Sequence, residues 1–259
     1  MITGALAIGV LTGCVLGATA VAAAELKVLT AGAFKPVVTA LVADFETSGG
    51  HTVTVDNDTA GALMRRIDGG EAFDLAVLTP QALQDLAERG KIVAGSVKRL
   101  GRVGIGVAIR EGAPRPSIGT VDEFKQTLLD ARSVAYIDPA AGGSSGIYLA
   151  QLFERLGIAE AIRAKAVLVP GGLVAQRVVN GEADIGIHQI SEIRAVRGAT
   201  LVGPLPAEIQ NYTVYAGGVG AHARDPAAAR ALLDLLAGDK GAAVLKRLGM
   251  EPPQGEPAG

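Results

Sequence analysis

Tryptophan is absent from this chain and only 3% of its residues are aromatic, although 49% are hydrophobic. The expected core is therefore aliphatic, built on Val, Leu, Ile and Ala, with 35 glycines supplying turns. Blocks of like charge are also missing, and the formal net charge is only −2. That balance argues against nucleic acid as a partner, because phosphate backbones are held by clustered Lys and Arg. Histidine is thin: His51, His188 and His222 are scattered without an H-x-x-x-H spacing, so no metal site is expected. Asp56-Asn57-Asp58 lacks the following glycine and distal glutamate of a calcium loop and reads as an Asx-rich turn. Neither a Walker-type phosphate loop nor a dinucleotide fingerprint occurs, and no cofactor is expected.

The sole cysteine, Cys14, lies in an opening stretch, Met1 to Ala24, that contains no charged side chain. This stretch reads as a secretory signal, with small residues at Val21-Ala22-Ala23-Ala24 and Ala24 the last residue removed. The exported chain then has no thiol, hence neither a disulfide nor a thiolate nucleophile. Two alternatives stand beside it. Leu11-Thr12-Gly13-Cys14 resembles a bacterial lipobox, which would anchor the protein by lipid at Cys14. The apolar length also nearly suffices for a membrane anchor.

From Leu26 onward, short apolar runs alternate with helical patterns, the signature of βαβ units around mainly parallel sheets. Leu26–Thr30, Thr52–Asp56 and Asp74–Leu78 read as strands, with helices over 37–48, 62–68 and 80–88. Arg99–Arg110 differs: Gly101, Gly104 and Gly106 interrupt a long β-like run, and Pro114 and Pro116 follow as a linker. A second βα series runs to about residue 206, then a second glycine-broken run, Tyr212–Gly220, and two final helices. Two long strands flanking a complete middle series predict an α/β fold of two lobes hinged at those strands. Residues 25–105 and 215–250 would form one lobe and 106–214 the other, with 251–259 a frayed tail.

Four small-residue clusters sit where a β-like run gives way to a helix. They are Thr30-Ala31-Gly32-Ala33, Thr59-Ala60-Gly61-Ala62, Gly142-Gly143-Ser144-Ser145 and Gly171-Gly172. Small residues let a ligand reach the backbone, and the first N–H groups of a helix have no intrahelical partner. Each cluster alone is ordinary α/β punctuation, and Thr59 and Ser145 could equally cap their own helices. Four together predict a shared cleft for a small anion, provided that distant corners of the chain converge.

This plan resembles the type II periplasmic solute-binding proteins of ABC importers, within them the molybdate/tungstate-binding branch. Val28-Leu29-Thr30-Ala31-Gly32-Ala33 is similar to that family's opening strand and first ligand loop. Thr59 to Ile67 resembles its second loop and helix, and Phe73 to Leu78 the strand that follows. Ser144-Ser145-Gly146-Ile147-Tyr148 resembles a later helix start, and Asn180 to Ile187 a late strand. The resemblance implies a periplasmic, monomeric receptor without catalytic residues that holds an oxyanion and delivers it to a membrane permease. It implies ligand contacts at Ala33, Thr59, Ala60, Ser144, Ser145, Gly172 and Gln189. Ala33 stands where the family has a serine, and Gln189 where it has a tyrosine. Lys35, Arg65 and Arg177 lie within a few residues of the loops and would suit an organic di- or tricarboxylate instead.

Two further readings belong to other classes. An enzyme on the same scaffold would need a base beside a nucleophile, and Gly143 to Ile147 misses the G-x-S-x-G elbow at its last residue. A sensory domain would carry an attached DNA-binding or membrane segment, and none is legible after residue 24.

Overall fold

The computed structural model describes residues 23–253. The expected signal segment up to residue 22, with Cys14, and the last six residues lie outside them. Strand β1 (Glu25–Ala31) leads through a 3₁₀ turn into helix α1 (Lys35–Gly49), followed by β2 (Thr52–Asp58), α2 (Ala60–Asp68), β3 (Leu75–Leu78) and α3 (Pro80–Glu88). The long strand β4 (Lys98–Arg110) opens a second series: α4 (Val121–Asp130), β5 (Val134–Ile137), α5 (Ser144–Arg155), α6 (Ala159–Arg163), β6 (Ala166–Val169), α7 (Val174–Val179), β7 (Ile185–Gln189), α8 (Ile190–Arg194) and β8 (Ala199–Pro204). Strand β9 (Tyr212–Val219) and helices α9 (Pro226–Ala237) and α10 (Asp239–Arg247) complete the fold.

Local chemistry explains these boundaries. Helix α1 buries Val37, Val38, Leu41 and Phe45 along one face and stops at Gly50, whose left-handed backbone (φ 67°) suits a residue without Cβ. Thr59, Thr79 and Thr120 each cap a following helix through the side-chain oxygen, Thr120 in a reciprocal box with Glu123. The N-terminal edge is pinned at Ala24. Its amide donates to His51 Nδ1 at 3.1 Å, its carbonyl accepts from Thr52, and His51 stacks on Phe45.

The strands run in the order β2-β1-β3-β9-β4-β7-β5-β6, with β8 also on β4. Pairing is parallel within each βα series and antiparallel where β4 and β9 join in. Strand β4 belongs to both halves: Lys98 to Gly104 pair with β9, whereas Ile105 to Arg110 pair with β7 and β8. Each half has its own core, one around Leu26, Phe34, Leu75 and Leu232, the other around Val107, Phe124, Phe153 and Ile187. The result is a two-lobed α/β fold. Two short helices, α6 and α8, have no counterpart in the sequence-based expectation, because five residues are too few for a legible helical period.

Candidate functional site

In an open α/β sheet, ligands gather beyond the carboxyl ends of the strands. Here the ends of β1, β2, β3, β5, β6 and β7 all reach one pocket between the lobes. Its wall includes Gly32 and Ala33 after β1, Asn57, Asp58, Thr59 and Ala60 around the end of β2, and Thr79 after β3. The other lobe adds Gly143, Ser144 and Ser145, then Gly172, then His188, Gln189 and Glu192. Tyr215 of β9 closes it. All four small-residue clusters therefore contribute to the same wall.

The lobes touch at this point. Thr59 Oγ1 donates to the Ala141 carbonyl at 2.6 Å while accepting from the Ala62 amide, so one hydroxyl caps α2 and bridges the cleft. Gly61 N donates to Gly142 O at 3.1 Å. Of the first three amides of α2, only that of Ala60 is then left without a partner among the described residues. The first amides of α5, at Ser144 and Ser145, likewise have no partner among the described residues, and both residues line the pocket at the positive end of a 12-residue helix.

A polar cluster forms the floor. Gln189 Nε2 donates to Ser144 Oγ at 3.2 Å and to Thr213 Oγ1 at 2.9 Å, and the two hydroxyls are 3.1 Å apart. Gln189 Oε1 is buried without a partner among the described residues, as is His188 Nδ1. Turning the amide by half a rotation keeps both hydroxyl contacts, since hydroxyls donate and accept alike, and exchanges the orphan oxygen for an N–H₂ donor. His188 Nε2 lies 3.2 Å from Glu192 Oε2, and both side chains are buried. Burial holds the His188 imidazole neutral, with its pKa lowered to about 3, and pushes the Glu192 carboxyl up to about 8. Burial and the nearby Glu192 also raise the Tyr215 phenol.

The seven residues expected to contact a ligand, Ala33, Thr59, Ala60, Ser144, Ser145, Gly172 and Gln189, all line this pocket. The three charged candidates do not. Lys35 lines an adjoining chamber, where its Nζ donates to Asn57 Oδ1 at 2.7 Å. Arg65 is exposed on α2, and Arg177 pairs with Glu182 at 2.9 Å. Arg66 is likewise turned aside, held by Asp56 and Glu71. The ionisable wall thus contains Asp58, His188, Glu192 and Tyr215 but neither Lys nor Arg. Sequence reasoning missed Glu192 and Tyr215; the i,i+4 spacing of His188 and Glu192 was the available signal for the first. No group of three or more potential metal ligands occurs among the described residues.

Residues 26–251 match the family model described as bacterial extracellular solute-binding protein. The chain is 35% identical to a protein named aconitate isomerase from a Pseudomonas species, over 90% of this chain and 89% of the relative. It is 27% identical to the molybdate-binding protein ModA of Azotobacter vinelandii, over 92% and 94% of the two chains. The solved structure of the Azotobacter vinelandii periplasmic molybdate-binding protein superposes with a TM-score of 0.76 at 21% identity, covering 89% of this chain and all of that one. No helix among the described residues is long and apolar enough to cross a membrane.

Proposed function

This chain belongs to the bacterial extracellular solute-binding proteins, and from that membership we propose that it captures a small organic polycarboxylate between its lobes. It would present the closed complex to the membrane permease of an ABC importer. One observation carries the choice of guest. The inner pocket encloses about 40 Å³, while an adjoining chamber of about 560 Å³ shares Gly32, Asn57, Gly172 and Glu192 with it and has Lys35 on its wall. The inner space suits one anionic head group, on the order of a few water molecules in size. The helix-start amides and the Ser144 and Ser145 hydroxyls would hold it. The remainder of the molecule would extend past Glu192 and place a second carboxylate near Lys35. A compact tetrahedral oxyanion such as molybdate, favoured by the resemblance to ModA, would leave Lys35 and the outer chamber unused. It would also set oxygens on every side against a wall that includes the carboxyl groups of Asp58 and Glu192.

Thermal-shift and calorimetric titration with molybdate, tungstate, sulfate, citrate and the two isomers of aconitate test this reading. A tight ligand at a thousandfold excess over its Kd adds about 4 kcal/mol to the folded state, an unmistakable rise in Tm. Stabilisation by the tricarboxylates with none by molybdate is expected; the reverse pattern would replace the proposed guest with an oxyanion.

The relative named aconitate isomerase supports a second reading, in which the bound acid is also turned over. The observation that favours it is the His188–Glu192 contact in the pocket wall.

A further inference from the structure

Glu192 is the one acidic side chain that lines both the inner pocket and the outer chamber. Its one ion pair among the described residues joins Oε2 to His188 Nε2, at 3.2 Å. The other oxygen, Oε1, lies beside Gly32, 2.5 Å from where a Cβ on that glycine would stand. Gly32 thus makes room for a carboxyl oxygen at the boundary of the two chambers, free of any basic partner. His188 is fixed in turn by its strand, where it pairs with Gly106 of β4. A buried carboxyl on a cavity wall, with one oxygen beside an imidazole and the other beside a glycine, serves poorly as an anion-binding element. It is well placed to exchange a proton with a guest.

We infer that Glu192 is a catalytic base that carries a proton between two carbon atoms of a bound unsaturated polycarboxylate, shifting its double bond, and that His188 positions it. This inference rests on the polycarboxylate reading of the pocket. In the step, ionised Glu192 Oε1 takes a proton from the methylene carbon next to one carboxylate. The C–H electron pair becomes a new double bond to the central carbon. The old double-bond pair moves to the far carbon, which takes the proton back from Glu192. One C–H bond breaks and one forms, and the enzyme ends as it began. Charge developing on the substrate carboxylate would be met by the open amides at Ser144 and Ser145 and by the amide group of Gln189. The raised pKa of Glu192, near 8, leaves a minority ionised at neutral pH and makes that minority strongly basic.

The test follows deuterium entry from D₂O into propene-1,2,3-tricarboxylate by NMR, with calorimetry of the same compound and of saturated propane-1,2,3-tricarboxylate. The full protein should bind both compounds and exchange protons on the carbons of the unsaturated one alone. Glu192→Gln should still bind the saturated compound, which reports that it is folded, and lose at least a hundredfold in exchange. His188→Ala should retain binding and move the pH midpoint of exchange downward, because water reaching the carboxyl returns it toward its ordinary range. Tight binding with no exchange by the full protein would overturn the catalytic proposal and leave the polycarboxylate reading standing. Failure to bind either tricarboxylate would overturn both. Exchange undiminished in Glu192→Gln would remove Glu192 from the base role, and an unmoved pH midpoint in His188→Ala would remove His188 from its positioning role.

Discussion

Gly61 and Gly142 meet backbone to backbone across the cleft: a Cβ on Gly61 would stand 2.8 Å from Gly142 Cα, beside the 3.1 Å hydrogen bond that joins them. Nothing but hydrogen fits there. Gly61→Ala should therefore wedge the lobes apart. An overpacked contact costs about 1–3 kcal/mol, and because the clash exists only when the cleft is shut, affinity should fall about 5- to 150-fold. Calorimetry would measure the loss, and small-angle scattering of the liganded variant should show a larger radius of gyration. Unchanged affinity would mean that the shut form is not the binding form.

The electrostatic partner of the outer chamber is separable from the inner pocket. Lys35→Ala should weaken a tricarboxylate about fivefold, the worth of one partly solvated charge-assisted contact. Binding of a monocarboxylate or a compact oxyanion should be unaffected. Equal losses for all ligands would place Lys35 among general stabilising residues.

His188 and Glu192 predict a particular stability profile. A histidine held at about 3 in the folded state against 6.5 unfolded adds stability as pH rises through that interval. A carboxyl held at about 8 against 4.5 does the opposite, contributing fully below 4.5 and losing its contribution as pH rises toward 8. Between 4.5 and 6.5 the two tendencies oppose each other; from 6.5 to 8 only the glutamate acts, and stability should fall. Denaturant unfolding across that upper interval should show the decline in the native protein. Glu192→Gln should abolish it. A ligand-free profile that is flat from pH 6.5 to 8 would contradict the assigned protonation states.

Ala24 donates to His51 and accepts from Thr52, so it is part of the folded edge of β1. A chain that starts at Glu25 would forfeit both contacts. A chain that starts at Ala24 should therefore resist denaturant better than one that starts at Glu25. His51→Ala should lower stability by about 1–2 kcal/mol through the lost acceptor and the lost stacking on Phe45.

The alternation of apolar runs and helical periods made the βα order legible, because buried parallel strands and amphipathic helices leave strong, local signatures. The two long strands were visible through their spaced glycines, Gly101, Gly104 and Gly106 in one and Gly217 and Gly218 in the other. Proximity of the small-residue corners was also foreseeable, since every strand of a parallel unit delivers its carboxyl end to the same side. Glu192 was legible only in part. Its i,i+4 spacing from His188 is a local signal, but its place beside Gly32, 160 positions earlier, depends on a five-residue helix folding back, and no local pattern encodes that. Two of the charged candidates lie outside the inner pocket for a related reason. Arg177 sits close to a loop in sequence but pairs with Glu182, and Arg65 is exposed on α2.

Because β4 changes partners between Gly104 and Ile105, a single unbroken peptide serves as the inner rail of both halves. Cutting the gene there would leave each fragment with a severed rail and an open sheet edge exposing unmet amides and carbonyls. The two halves are thus inseparable in construction, and any twist applied to one end of that rail is delivered to the other.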